Sequence, residues 1–270
     1  MPDQSKTSVK VGNSSSTVAS HRQDLLSYRT NEAHANLAEL REITQKLLPV
    51  FGEGSWNKHN LVTLNVTVLS RLLYLNDLYQ KIIDIPGVIC EFGVQWGGTL
   101  TQLINLRSIY EPFNHSRFIY GFDTFSGFPS VHEKDGDGYK EGDLTTPDEY
   151  EETLTRTLEL IESFPPLPHI RKHALIKGDA SITIDAWLQE NPHAIISLAI
   201  FDMDLYAPTK SVLEKIKPRL TSGSILAFDE LNCQAFPGET RALDEVIGLN
   251  NLKLRRSPFH PHCAWAVFGQ

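Results

Sequence analysis

The chain has 270 residues, 41% of them hydrophobic, 21% charged and 9% aromatic, and a formal net charge of −8. It is long enough to bury a core without disulfide or metal staples, and its composition is that of an ordinary globular protein. A nucleic-acid groove is excluded, because phosphate binding needs clustered Lys and Arg and the nearest cluster, Lys253 with Arg255 and Arg256, is short.

In chain order, residues 1–21 are rich in Ser, Thr, Lys and Asn. They lack the large apolar groups whose burial offsets the entropy of ordering, which predicts a disordered arm. The arm also lacks the apolar centre of a secretory signal, and no later apolar run reaches roughly 18 residues. A cytoplasmic protein that does not enter a membrane is expected. Residues 22–84 carry apolar groups at helical spacing: Leu37, Leu40, Ile43, Leu47 and Leu48, then Leu61, Leu64, Val68, Leu72, Leu75 and Leu78. Two N-terminal helices are predicted, over about 22–50 and 59–84, packed on the remainder of the chain and offering apolar surface for a homo-oligomer.

From residue 85 the pattern changes to short β-rich runs at 87–92, 117–122, 172–177, 194–201, 223–228, 252–257 and 263–268. Helical stretches near 97–110, 147–163, 180–190, 207–220 and 239–248 lie between or after them. Strand–helix alternation with near-continuous apolar strands predicts an α/β fold, a doubly wound and mostly parallel sheet over 85–270. The last two strands have no helix between them and predict an antiparallel C-terminal hairpin. Cys90, Cys233 and Cys263 are scattered without CxxC or Cys/His spacing, so buried free thiols are expected rather than disulfides or zinc ligands. The one long connection, from Thr124 to Pro147, contains VHEKDGDGYKEGD. Such a length belongs to a functional lid or a disordered loop, and the composition favours a solvated loop. Asp135 and Asp137 do not make a calcium loop, since the terminal Glu at the required spacing is missing.

Ligands of open α/β sheets bind outside the carboxyl ends of the strands. The first five strands end in Glu91-Phe92-Gly93, Phe122-Asp123, Lys177-Gly178-Asp179, Phe201-Asp202-Met203-Asp204 and Phe228-Asp229-Glu230, each on at least one carboxylate. Gly93, Gly97 and Gly98 form a turn into a helix that lets a ligand approach, although the spacing is not GxGxxG and fits a dinucleotide pyrophosphate poorly. Asp123 is placed to bind both hydroxyls of a ribose, and Asp179 to reach an adenine amine. Adenine and ribose without a phosphate cradle point to S-adenosylmethionine; helix capping by either aspartate is the alternative. Neighbouring strands lie roughly 5 Å apart, so Asp202, Asp204, Asp229 and Glu230 converge. Their repulsion calls for a cation, and oxygen ligands suit Mg²⁺ or another hard divalent ion; a water-filled acidic rim is the alternative.

The ordered set CEFGVQWGG, GFDTFSGFP, KGDA, FDMDLYAPT and FDELN resembles the macrocin O-methyltransferase (TylF/MycF-type) family of class I S-adenosylmethionine-dependent methyltransferases, over roughly residues 85–268. The resemblance implies a Rossmann-like sheet, with cofactor contacts from Glu91, Gly93, Gly97, Asp123, Thr124, Asp179 and Ala180. It implies Asp202 as general base, and Asp204, Asp229 and Glu230 as Mg²⁺ ligands. Glu230 departs from the family's second adjacent aspartate. The implied partner is a small hydroxylated acceptor, such as a sugar unit of a natural product or surface glycan. Phe125, Phe128 and Tyr206 are the aromatics nearest the inferred pocket, and His132, His260 and His262 lie on loops beside it. Competing readings are a non-sugar acceptor (phenolic, amine or carbon), a nucleotide-dependent oxidoreductase, and a noncatalytic cofactor-binding assembly protein.

Overall fold

The computed structural model describes residues 30–52, 54–260 and 262–270. The arm expected over 1–21, and the first residues of the helix expected from 22, lie outside them. Helix α1 (Asn31–Leu47) is opened by Thr30, whose hydroxyl accepts from the Ala33 amide. The second expected helix is shorter than its periodicity: α2 runs Val66–Gln80, because Asn65 takes an extended conformation and caps Thr67 and Val68. A single turn at Trp56–His59 and a 3₁₀ turn at Asn60–Thr63 occupy the segment before it. Among the described residues no helix is long and apolar enough to cross a membrane.

The chain continues through β1 (Val88–Phe92), α3 (Gly98–Tyr110), β2 (Ile119–Asp123), α4 (Tyr150–Glu162), β3 (His173–Lys177), α5 (Ala180–Glu190), β4 (Ile196–Phe201), α6 (Tyr206–Ile216), β5 (Leu220–Phe228), α7 (Gly238–Val246), β6 (Arg255–Arg256) and β7 (Ala264–Val267). The strands form one seven-stranded sheet in the order β3-β2-β1-β4-β5-β7-β6. The first five are parallel, and β7 runs antiparallel to both β5 and β6. This is the expected doubly wound sheet, although the edge strand β6 is only two residues long. Cys90, Cys233 and Cys263 are buried free thiols, as expected.

The sheet is covered on both faces. On one, Tyr74, Leu75 and Leu78 of α2, Leu100 and Leu103 of α3 and Leu154 and Leu158 of α4 pack on Ile89, Leu198 and Ile225. On the other, Ile184 and Trp187 of α5, Val212 and Leu213 of α6 and Leu243 of α7 pack on Cys90, Phe92, Phe201 and Leu226. Strand order reverses between β1 and β4, so the crevice above their carboxyl ends is the place for a ligand.

The position of α2 on the first face is set by a buried arginine. Arg117, 3% exposed, donates to the carbonyls of Ile82, Ile85 and Gly87 and to the Ser197 hydroxyl, and pairs with Glu111 at 2.9 Å. It thereby ties the link between α2 and β1 to the start of β2. Replacing Arg117 by Met strands Glu111 and these carbonyls and is expected to cost about 3–5 kcal/mol. Urea unfolding measures the loss, and a change below about 1 kcal/mol would show that the clamp is dispensable.

Candidate active site

Phe92, Phe122, Phe201 and Phe228 stand in register across the four central strands. Their rings stack in a row, with centroids 4.8, 5.4 and 4.9 Å apart. Side chains alternate faces along a strand, so residues adjacent to this row turn to the opposite side. Glu91 precedes its phenylalanine; Asp123, Asp202 and Asp229 come directly after theirs. The Phe–acid pairing therefore collects these carboxylates on the face that α2 and α3 cover.

A cavity of about 270 Å³ opens at this end of the sheet, lined by Glu91, Gly93, Asp123, Thr124, Asp179, Ala180, Asp202 and Asp204 among others. Gly97, Asp229 and Glu230 are not part of its wall. Gly97 instead begins α3 at φ 74°, where a Cβ would strike the Leu154 side chain. Gly93, at φ 93°, is required by the neighbouring strand: a Cβ there would lie 1.9 Å from the Asp202 carbonyl oxygen. Asp123 holds the glycine turn, accepting from the amides of Val94 and Gln95 at 2.8 and 2.7 Å and from Phe125 at 2.6 Å. Asp179 caps α5 through the Ser181 amide at 2.8 Å while facing the cavity. Capping and cavity lining thus coexist in one residue. Glu91 is 1% exposed, and its Oε2 has no hydrogen-bond partner. Burial, reinforced by the charge of Asp202, pushes its carboxyl well above the usual range. A buried acceptor of this kind at a cavity wall fits a ligand that brings a donor or a positive charge.

Carboxylate oxygens of Asp202, Asp204 and Glu230 come within 4.8 Å of one another. An all-oxygen set of this size fits a hard divalent cation. Asp229 has partners of its own. Its Oδ1 pairs with Arg71 of α2 and accepts from the Cys263 thiol at 3.0 Å. Burial opposes the Asp229 charge, but Arg71, the thiol and nearby His260 prevail and hold its carboxyl below the usual range. Glu230 goes the other way, raised first by burial and then by Asp204, Asp229 and Asp202.

Arg71 is not prominent in the sequence, yet it organises the site. Its Nη2 donates to Asp202 at 3.1 Å and to Thr99 at 2.9 Å while Nη1 bonds Asp229, so one guanidinium bridges the tips of β4 and β5. Burial works against its charge, but Asp229 and Asp202 more than compensate and raise its pKa well above the ordinary value. One pattern could have found it: Arg71 stands four and seven residues before Leu75 and Leu78, on the apolar stripe of its helix. A cation on a core-facing stripe needs an acidic partner.

The Thr124–Pro147 connection is not a solvated loop. Asp135, 1% exposed, accepts from the His132 amide at 2.7 Å and from the Tyr206 amide at the start of α6. Phe128 packs with Leu205, Cys233 and Phe236, and Tyr139 stacks on Phe236 at 4.7 Å. The segment carries its own small apolar core, which composition did not reveal. Phe128 lines the cavity, whereas Phe125 belongs to the core under α2 and α3. The Tyr206 hydroxyl donates to Glu245 at 2.6 Å, and Lys134 from the loop reaches both. His132 accepts from the Lys134 amide at 3.1 Å, and the His260 and His262 rings lie 6.3 Å apart.

The chain as a whole is similar to proteins of known structure. The chain is similar to the solved structure of CalS11, a calicheamicin methyltransferase, with 38% identity over 92% of this chain and 98% of that one, at a TM-score of 0.85. It is similar to an apo structure of CalS11, described as a TDP-rhamnose 3'-O-methyltransferase of calicheamicin biosynthesis, at 36% identity over 90% and 97% of the two chains and a TM-score of 0.78. The O-methyltransferase NovP shares the fold, at 19% identity over 73% and 79% of the chains and a TM-score of 0.57. No family model and no curated protein matches the chain.

Removing the guanidinium should expose how strongly the acids repel. Arg71→Met is expected to lower the stability of the protein by about 2–3 kcal/mol. Thermal melts provide the check, and an unchanged melting temperature would remove Arg71 as the counter-charge.

Proposed function

The chain belongs to a family of S-adenosylmethionine-dependent O-methyltransferases that includes CalS11, and on that premise we propose that it methylates a hydroxyl of a sugar unit, in a natural product or surface glycan, with Mg²⁺ bound at the strand tips. The observation that carries this reading is the meeting of two sets of residues at one cavity. Glu91, Gly93, Asp123, Thr124, Asp179 and Ala180 form its cofactor side, and Asp202 and Asp204 its acidic side. Residues 85–270 serve as the catalytic domain, and kinship with the macrocin-type enzymes is part of the same proposal.

A sulfonium methyl group is already activated, so the protein must chiefly align the acceptor oxygen and help remove its proton. Asp202 lines the cavity and is oriented by Arg71 at 3.1 Å, which suits it to receive that proton. Asp204 and Glu230, with Asp202, would hold Mg²⁺. When bound, the ion lowers the pKa of a coordinated hydroxyl and fixes its place. Asp229, held by Arg71, contributes charge behind the ligands rather than a place among them. The packed Thr124–Pro147 segment and Phe128 exclude water from the acceptor side. A sugar bearing two adjacent hydroxyls suits such a site, and phenolic, amine or carbon acceptors are separated from it by an acceptor screen with labelled methyl donor.

Asp202→Asn is expected to lower kcat by about 100-fold or more while leaving S-adenosylmethionine affinity unchanged, and EDTA is expected to abolish a turnover that Mg²⁺ restores. Calorimetry and the labelled-methyl assay test these together. Full turnover in chelator would remove the metal from the reading, and full turnover of the variant would remove Asp202 as base.

The N-terminal helices complete the proposal as an oligomer interface. Helix α1 buries none of its residues, and Ile43, Leu48, Trp56, Leu61, Val66 and Leu69 are exposed apolar side chains along this region. Light scattering after size exclusion is expected to give at least a dimer, and Leu61→Asp with Leu69→Asp a smaller species. A wild-type monomer would sink the interface.

A further inference from the structure

Glu239, in the first turn of α7, has no solvent exposure at all, which is rare for a glutamate. Its Oε2 accepts a hydrogen bond from the Glu230 amide at 3.2 Å, and its Oε1 is buried without a hydrogen-bond partner. Through that bond it sits against Glu230, one of the three clustered acids. Gly238 makes this approach possible. A Cβ there would lie 2.5 Å from the Tyr206 amide nitrogen, 2.6 Å from Asp135 Oδ1 and 2.9 Å from the Asp204 carbonyl oxygen. The start of α7 is therefore pressed against the loop that carries Asp204, at a distance only glycine allows.

Structure alone accounts for half of this side chain. Oε2 ties the backbone at Glu230, and an acid in a first helical turn suits the helix dipole. Neither explains Oε1, because an unpartnered carboxylate oxygen buried among like charges is destabilising. A glutamine would hold the same amide without that repulsion.

We propose that Glu239 is a positioning residue of the divalent-cation site, fixing the Glu230 backbone through Oε2 and presenting Oε1 as an outer acceptor for the hydrated cation held by Asp202, Asp204 and Glu230. This rests on the reading of that cluster as a cation site. Outer groups of this kind typically change metal affinity by about 10- to 100-fold.

The test titrates Mn²⁺ into the metal-free full chain, with bound ion read by electron paramagnetic resonance and thermal melts recorded in parallel. Glu239→Gln keeps an oxygen for the Glu230 amide and removes the charge; Glu239→Asp keeps the charge and withdraws it by one methylene. Glu239→Gln is expected to weaken Mn²⁺ binding by about tenfold or more, and Glu239→Asp by less, with S-adenosylmethionine affinity unchanged. The metal-free Glu239→Gln protein should melt no lower than wild type, because the amide oxygen keeps the bond to the Glu230 backbone and the substitution adds no charge to the cluster. Wild-type Mn²⁺ affinity in Glu239→Gln overturns the proposal, and a lower metal-free melting temperature beside that affinity assigns Glu239 to structure alone. Failure of the wild-type chain to bind Mn²⁺ overturns the cation-site reading itself, an outcome distinct from equal binding by wild type and variant.

Discussion

Like charges buried together repel, and this repulsion at the strand tips governs the arrangement around them. Asp202 and Asp229 sit at the ends of adjacent strands, with Asp204 and Glu230 immediately beyond. At the low effective dielectric of such a place, several carboxylates cannot all stay ionised without positive charge. Arg71 supplies it from a helix that precedes the sheet in sequence. The consequence is a division of labour: the carboxyl of Asp229, next to the guanidinium, is held below its usual range, whereas that of Glu230, buried and beside other acids, is pushed up.

That division connects the distant parts of the fold. Arg71 reaches the tips only if α2 lies correctly on the sheet, and Arg117 fixes α2 by binding the carbonyls of the segment between α2 and β1. Helix α2 is thus coupled to the site electrostatically as well as through packing. On the opposite side, Asp135 and Gly238 bring the long connection and α7 against the loop after β4. The site is held between these two supports, and the cavity for the cofactor opens where strand order reverses.

Two glycines show how contact with the protein itself, rather than ligand access, can require a missing side chain. Gly93 reads in the sequence as room for a cofactor, but the Asp202 carbonyl of the neighbouring strand already excludes a Cβ there. Gly97 makes the same point against Leu154. Asp123 and Asp179 obey a related logic. Each stabilises the local backbone through amide hydrogen bonds, and that bonding orients the carboxylate at the cavity wall.

The sequence by itself determined the sheet, its mostly parallel order with a C-terminal hairpin, and the gathering of carboxylates at one rim, since strand periodicity and the residue that ends each strand are local properties. Glu91, Asp123, Asp179, Asp202 and Asp204 were legible for that reason. Tertiary structure alone decided which charges meet: Arg71 and Asp229 are 158 residues apart, and no local pattern encodes their contact. It also decided that the Thr124–Pro147 segment is packed, because the partners Leu205, Cys233 and Phe236 come from other parts of the chain. Glu239 stayed hidden for the same reason, being an ordinary first-turn acid until Gly238 presses it against the strand tips. Local sequence selects the elements and the groups at their ends, whereas burial and electrostatic pairing depend on distances that exist only once the chain has closed on itself.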